Sequence, residues 1–418
     1  MQIYHYFTII IILAAAFGYF NKRFLKLPRT IGVMIISLLT SLGIVLTATS
    51  FPDLFSQTKE MILSIDFYTV LMEVMLSFLL FAGSIHIRLN DIKTEKAPII
   101  AFSTIGVVLS TAIVGGLMFL LLQSFGINVS FINCLLFGAL ISPTDPIAVL
   151  GILKSAKIEK SLETKISGES LFNDGVAVVI FVALLEISRV GFENMGFVDI
   201  AVLFLREAGG GLLLGTLLGS LGTYILKTID DYSVEVMITL AMVMGGYWLA
   251  TALHISGPLA MVVAGIFIGN RGREVGMSRV TEEYIDKFWE MLDEILNAIL
   301  FLLIGLELLV INFENIYILI GLIAIFVVLL ARFISVGIPF FLLKKRVKFE
   351  QNSFPILVWG GLRGGISVAL ALALPRDESG DLFVAITYIV VLFSIIFQGL
   401  TIGKLAKNLT AKSAKKAQ

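Results

Sequence analysis

Two carboxylates, a hydroxyl and an amide are packed into Gly168-Glu169-Ser170-Leu171-Phe172-Asn173-Asp174-Gly175. On a helix, spacings of three and four place Glu169, Ser170, Asn173 and Asp174 on one face, while Leu171 and Phe172 point elsewhere. The residues that follow, Val176 to Leu185, are uniformly apolar. The polar face therefore lies where each ionised group costs about 2.5–3.5 kcal/mol on insertion scales, which makes it a candidate for function. Carboxylate, hydroxyl and carbonyl oxygens are the ligands that a hard monovalent cation prefers. A carboxyl taken out of water also titrates nearer neutrality than the ~3.9 of a free aspartate, so a proton and a cation can compete for one such group.

Two other segments place polar groups in apolar surroundings. Asp145 sits in Ile141-Ser142-Pro143-Thr144-Asp145-Pro146-Ile147. Its flanking prolines remove backbone donors and crowd the preceding turn, so the helix cannot run through. A helix broken inside a bilayer leaves amides and carbonyls that must line a cavity or meet another polar group. A bare Pro kink with Asp145 as a half-helix cap is compatible with this, because such caps build ion sites. In Trp359-Gly360-Gly361-Leu362-Arg363-Gly364-Gly365-Ile366-Ser367, four glycines around one arginine weaken a helix by about 0.5–1 kcal/mol each and permit an unwound segment. Arg363 needs an anion or a route to the interface, and Glu169, Asp174 and Asp145 are the acids on offer.

The elements that must position these groups follow from composition. The 418 residues are 58% hydrophobic and 15% charged, with mean hydropathy +0.97, against about 25% charged for a soluble protein. Apolar runs near 4–20, 30–50, 67–87, 98–123, 132–153, 167–188, 207–226, 234–252, 256–270, 291–310, 314–343, 354–374 and 382–403 predict an all-α polytopic membrane protein of about 13 transmembrane helices. Of the 31 Lys and Arg, 25 fall on alternate loops. That alternation predicts an N-terminus outside and a C-terminus in the cytoplasm. Residues 1–403 read as the membrane domain, with a core bundle holding spans 5, 6 and 12 and a dimerisation bundle, and 404–418 as a short basic cytoplasmic tail. The broken fifth span and the glycine-rich twelfth are seven spans apart and so oppositely oriented. This predicts inverted repeats, spans 1–6 against 8–13, whose two discontinuous helices cross at the midplane.

Zero net charge gives no argument for a nucleic-acid partner, and the lone Cys134 cannot form an intrachain disulfide. Arg332, inside the eleventh run, needs a partner. Glu73 and Glu235 read as carboxylates near span ends, Glu307 as a packing or gate residue, and the polar stretch Asn270–Glu290 as a linker or interfacial helix without chemistry. An intramembrane protease using Asp145 and Asp174 as a dyad is disfavoured, because Glu169 and Arg363 would have no role in it. A cation channel would use the same ligands but would not couple protons to cations.

Thr144-Asp145-Pro146, Glu169 to Gly175, Phe301-Leu302-Leu303-Ile304-Gly305-Leu306-Glu307-Leu308, Gly360-Gly361-Leu362-Arg363-Gly364 and Gln398-Gly399-Leu400-Thr401 run in one order along the chain. As a set they resemble the monovalent cation/proton antiporters, in the sodium/proton exchanger branch that includes bacterial NhaP-type proteins. The resemblance implies exchange of Na+ or Li+ for H+ by a homodimer in the plasma membrane, with no cofactor; K+/H+ exchange is the alternative within the class. It also implies that Asp174 binds either ion, with Thr144 and Ser170 as nearby oxygen ligands and Asp145 at the helix crossover. Glu169 would pair with Arg363, holding Asn173 and the core in place. Asn173 before the carrier aspartate implies electroneutral 1:1 exchange.

Overall fold

The computed structural model describes residues 2–145, 149–151, 153, 158–191, 196–311, 313–375 and 377–417, with side chains through 409 except those of Gln2, Ile3, Leu54 and Phe197. Pro146, Lys154, Lys157 and Arg376 of the sequence reading lie outside the described residues, as do the side chains of the lysines beyond 409. Among the described residues all regular structure is helical.

The helices relevant to the site are α1 (Gln2–Phe20), α2 (Arg29–Leu46), α3 (Pro52–Leu63), α4 (Phe67–Ile85), α5 (Lys96–Ser124), α6 (Phe131–Ile141), α7 (Lys160–Val190), α8 (Val198–Leu226), α9 (Tyr232–Ala252), α10 (Gly257–Phe267), α11 (Arg279–Leu306), α12 (Asn315–Leu343), α13 (Ser353–Trp359), α14 (Gly365–Leu372) and α15 (Glu378–Leu409). Nine described helices are long and apolar enough to cross a membrane. The remaining predicted spans fall short for visible reasons. Helix α6 stops at the Pro143 break, and α13 and α14 are halves separated by Gly360–Gly364. Helix α10 runs into Asn270 and Arg271, and α11 carries Glu290, Asp293 and Glu294 at the base of its apolar half.

Packing sorts the helices into two groups. In one, α5 lies along α6 and α12, α7 along α6, and α15 along α12 and α14. In the other, α10 lies between α8 and α4, α11 along α2 and α4, and α9 against α8, α10 and α11. The groups meet where α14 touches α4 and α11, and where α7 touches α10. Lipid offers apolar groups as good an environment as a neighbouring helix, so close van der Waals approach must hold such bundles together. At Gly138, for example, a Cβ would lie 2.3 Å from the Thr111 carbonyl oxygen, so only glycine lets α6 approach α5 this closely.

The two breaks meet. The Asp145 amide donates to the Leu362 carbonyl at 2.7 Å, so the unwound backbone of one span satisfies that of the other. This is the crossing of discontinuous helices that the proline and glycine positions predict.

Candidate functional site

Helix α7 carries Glu169, Ser170, Asn173 and Asp174, all buried, and faces the break after α6. Asn173 fastens the two together: its Nδ2 donates to Thr144 Oγ1 at 2.8 Å, and its Oδ1 accepts from the Thr144 amide at 3.3 Å. Thr144 Oγ1 and Ser170 Oγ lie 3.0 Å apart. Thr144, Ser170, Asn173 and Asp174 are thus brought into one cluster. Upstream, Ser142 Oγ donates to the Gly138 carbonyl at 2.6 Å and lies 2.9 Å from Ser110 Oγ, whose hydroxyl can donate to it, which anchors the end of α6 to α5.

Asp174 differs from its neighbours. Among the described residues no group hydrogen-bonds to its carboxylate, and it lines a cavity of about 1010 Å³ together with Thr144, Asp145, Asp293 and Asn297. The mouth of the cavity is at the Lys/Arg-rich end, where Arg29, His86, Asp286, Glu290 and Glu294 border it. Asp145 packs against Gly364: a Cβ there would sit 2.5 Å from the Asp145 Cβ and 2.6 Å from Oδ2. Its carboxylate therefore lies at the N-terminal, electropositive end of α14.

The pairing of Glu169 differs from expectation. Its ion-pair partner is Arg332 of α12, not Arg363. Arg332 Nη1 donates to Glu169 Oε1 and Nη2 to the Leu357 carbonyl at 2.9 Å. Room for this comes from Gly361, where a Cβ would lie 2.4 Å from Arg332 Nε. Arg363 instead turns toward the end of α6, with Nη1 donating to the carbonyls of Ser142 and, at 3.1 Å, Pro143. The anion it meets is the electronegative C-terminus of a half-helix. Its amide donates to Ser394 Oγ at 2.9 Å, and Ser394 Oγ donates to Gln398 Oε1 at 2.7 Å, which brings the Gln398 motif into the crossing.

Two lesser readings can be placed. Glu235 lies in the first turn of α9, near a span end as expected, and is fully buried there with Thr281 Oγ1 donating to it at 3.2 Å. The stretch Asn270–Glu290 is not an inert linker. Asn270 Nδ2 donates to the Ile87 carbonyl at 2.9 Å, Arg273 pairs with Glu282 and Asp286, and Asp286 and Glu290 border the cavity. The apolar half of α11 was legible in the sequence as the run 291–310, but the acids at helical spacing that open onto the cavity, Asp286, Glu290 and Asp293, were passed over.

The sequence profile of the sodium/hydrogen exchanger transmembrane family matches residues 10–408. A Na+/H+ antiporter NhaP of Pseudomonas aeruginosa is 50% identical over 407 residues, covering 96% of both chains. A Na+/H+ antiporter NhaH of Halobacillus dabanensis is 35% identical over 393 residues, covering 93% of each. The solved structure of the sodium proton antiporter MjNhaP1 from Methanocaldococcus jannaschii superposes with a TM-score of 0.77 over 98% of this chain and 99% of that one; at 19% identity this is a likeness of fold. With the crossed helix breaks and the buried carboxylate face already in place, the extent of these matches leads to one conclusion: the chain belongs to the sodium/hydrogen exchanger family.

Proposed function

We infer that the protein is a secondary transporter that exchanges Na+, or Li+, for H+ across the membrane, with both ions competing for Asp174. The observation that carries this is Asp174 itself, buried, without a hydrogen-bond donor among the described residues, and lining a cavity that opens at one end of the bundle. A bare carboxylate in that setting is costly, so it takes up a proton or a cation. Thr144 and Ser170 offer hydroxyl oxygens beside the two carboxylates of Asp174 and Asp145. Their mutual hydrogen bonds can reorganise when a cation arrives, because a hydroxyl rotates to present a lone pair.

Occupancy is exclusive. When only the loaded carboxylate crosses between faces, the two fluxes are locked in opposite directions. Na+ and H+ carry the same charge, so a single exchanging carboxylate gives electroneutral 1:1 exchange; Asn173 puts a neutral amide next to Asp174 on α7, and Asp145 stays against the N-terminal end of α14. The crossing is rigid-body movement of the group holding α5–α7, α12–α15 against the other. The protein works as a homodimer in the plasma membrane, with the Lys/Arg-rich end and the cavity mouth in the cytoplasm. The chemistry is transport, with no bond made or broken in a substrate.

The test is a proteoliposome carrying a pH-sensitive dye, with Na+, Li+ and K+ added in turn, with and without a clamped membrane potential. Proton movement with Na+ or Li+ that ignores voltage is expected, and Asp174→Asn abolishes it in folded protein. Appreciable exchange remaining in that variant would overturn the assignment. A K+-preferring response would keep the mechanism and change the substrate.

A further inference from the structure

Helix α11 presents Asp286, Glu290, Asp293 and Asn297 at spacings of four, three and four, which is one helical face, and all four line the cavity. From Glu290 inward exposure falls: Glu290 is exposed, Asp293 half-buried, Asn297 only 2% exposed. At the deep end the row of acids becomes an amide. Asn297 Nδ2 donates to the Asp293 carbonyl at 2.8 Å, which fixes the amide so that Oδ1 is the free end. That oxygen has no hydrogen-bond partner. A buried acceptor left unmet costs about 1–3 kcal/mol, and in a native structure it calls for an explanation. Nothing in the packing of α11 demands an amide here, since Ile299, Leu300 and Phe301 just beyond it are ordinary apolar residues. Opposite, α14 touches α11 where Gly365 meets Leu300, and Asp145 lines the same cavity.

We propose that Asp293 and Asn297 form a second cation site, part-way down the cavity, which Na+ occupies before it reaches Asp174. The proposal rests on the sodium/proton reading above and adds a station to it. A carboxylate and an amide carbonyl oxygen suit a half-dehydrated monovalent ion that keeps several waters. The site shares the removal of the hydration shell between two steps, and it serves only the face at which the cavity opens.

Two measurements separate this proposal from the reading beneath it. Radiolabelled Na+ binding to purified Asp174→Asn protein reports the second site alone. Residual weak binding is expected, and adding Asn297→Ala weakens it about 5- to 10-fold, the loss of one ligand oxygen. In vesicles that present the Lys/Arg-rich face to the bath, Asn297→Ala in the otherwise wild-type chain raises the KM for Na+ by a similar factor, more than it lowers kcat. Asn297→Asp, which adds a charge to the site, lowers that KM, an effect a merely structural amide does not produce. Absence of any Na+ binding in Asp174→Asn protein, or an unchanged KM in both Asn297 variants, overturns the proposal and leaves Oδ1 met by water alone. Exchange surviving in Asp174→Asn would strike the primary reading instead.

Discussion

The assignment of Glu169 to Arg332 is open to a double-mutant cycle. Their side chains are 2% and 9% exposed, so the pair is buried by any measure, and removing one partner strands the other's charge. Glu169→Gln should therefore cost about 3–5 kcal/mol. Arg332→Gln should cost somewhat more, because the charged hydrogen bond to the Leu357 carbonyl, worth about 1.5–3 kcal/mol, is lost with it. The double variant carries no stranded charge and should cost about as much as the worse single change, giving a coupling energy equal to the cost of the Glu169 change alone, about 3–5 kcal/mol. For Glu169 and Arg363 the same cycle should give less than ~0.5 kcal/mol, since the Arg363 guanidinium is engaged by the Ser142 and Pro143 carbonyls. The assay is reversible unfolding in mixed micelles with graded denaturing detergent, read by tryptophan fluorescence. A coupling of Glu169 to Arg363 that equals or exceeds its coupling to Arg332 would refute the reasoning.

Three further outcomes follow from the geometry. Gly364→Ala places a Cβ 2.5 Å from the Asp145 Cβ, so the crossing must spread: stability should fall by about 1–3 kcal/mol in the same unfolding assay, and Na+-driven proton movement should drop at least ~10-fold. Asn173→Ala leaves the buried Thr144 amide and hydroxyl without their shared partner; the KM for Na+ should rise about 10-fold or more in proteoliposomes. Burial alone would raise the Glu350 carboxyl, but hydrogen bonds from Ser161 and Lys165 outweigh it and hold Glu350 below the usual glutamate range. A group depressed in the native state stabilises above its unfolded pKa of about 4.3 and loses that contribution as pH falls through the native value. Glu350→Gln should therefore lower the midpoint of thermal unfolding at pH 7 and flatten its decline between about pH 5 and 3.

Where the chain breaks was legible because backbone chemistry is local: Pro143 and the glycines from Gly360 to Gly365 act on their own turns, and a reader of the sequence needs no partner to see it. The polar face of α7 was legible for the same reason, since helical spacing alone places Ser170, Asn173 and Asp174 together. What the sequence withheld was the choice among long-range partners. Arg332 and Arg363 are both arginines in apolar runs, and nothing in their neighbourhoods says which one reaches Glu169. The deciding features are steric: the missing Cβ of Gly361, beside which the Arg332 guanidinium lies, and the half-helix end that takes up Arg363. Asn297 escaped notice because it is neutral, and a search for buried charges passes over an amide whose oxygen lacks a partner.

Under the proposed function, the crossing gives the reason why Asp174, among so many polar groups, would be the one that exchanges. Glu169 and Arg332 neutralise each other. Arg363 is held against the carbonyls that end α6, and Asp145 lies against Gly364, the residue just before α14, so each meets the end of a half-helix whose partial charge is opposite to its own. Each of these charges faces an opposite charge or partial charge that belongs to the chain and stays with it, although Arg332 Nε and Arg363 Nη2 have no hydrogen-bond partner among the described residues. For Asp174 no such group is found among the described residues, and its environment is incomplete until something mobile arrives. A proton and a sodium ion complete it equally well in charge and differ only in size and ligand demand. In the proposed mechanism Thr144 and Ser170 would supply ligands that the larger ion needs, and a proton needs none of them. On this reading, substitutions at Thr144 or Ser170 should shift the Na+ dependence of exchange while leaving proton uptake by Asp174 intact, whereas any substitution that removes the Asp174 carboxylate ends both.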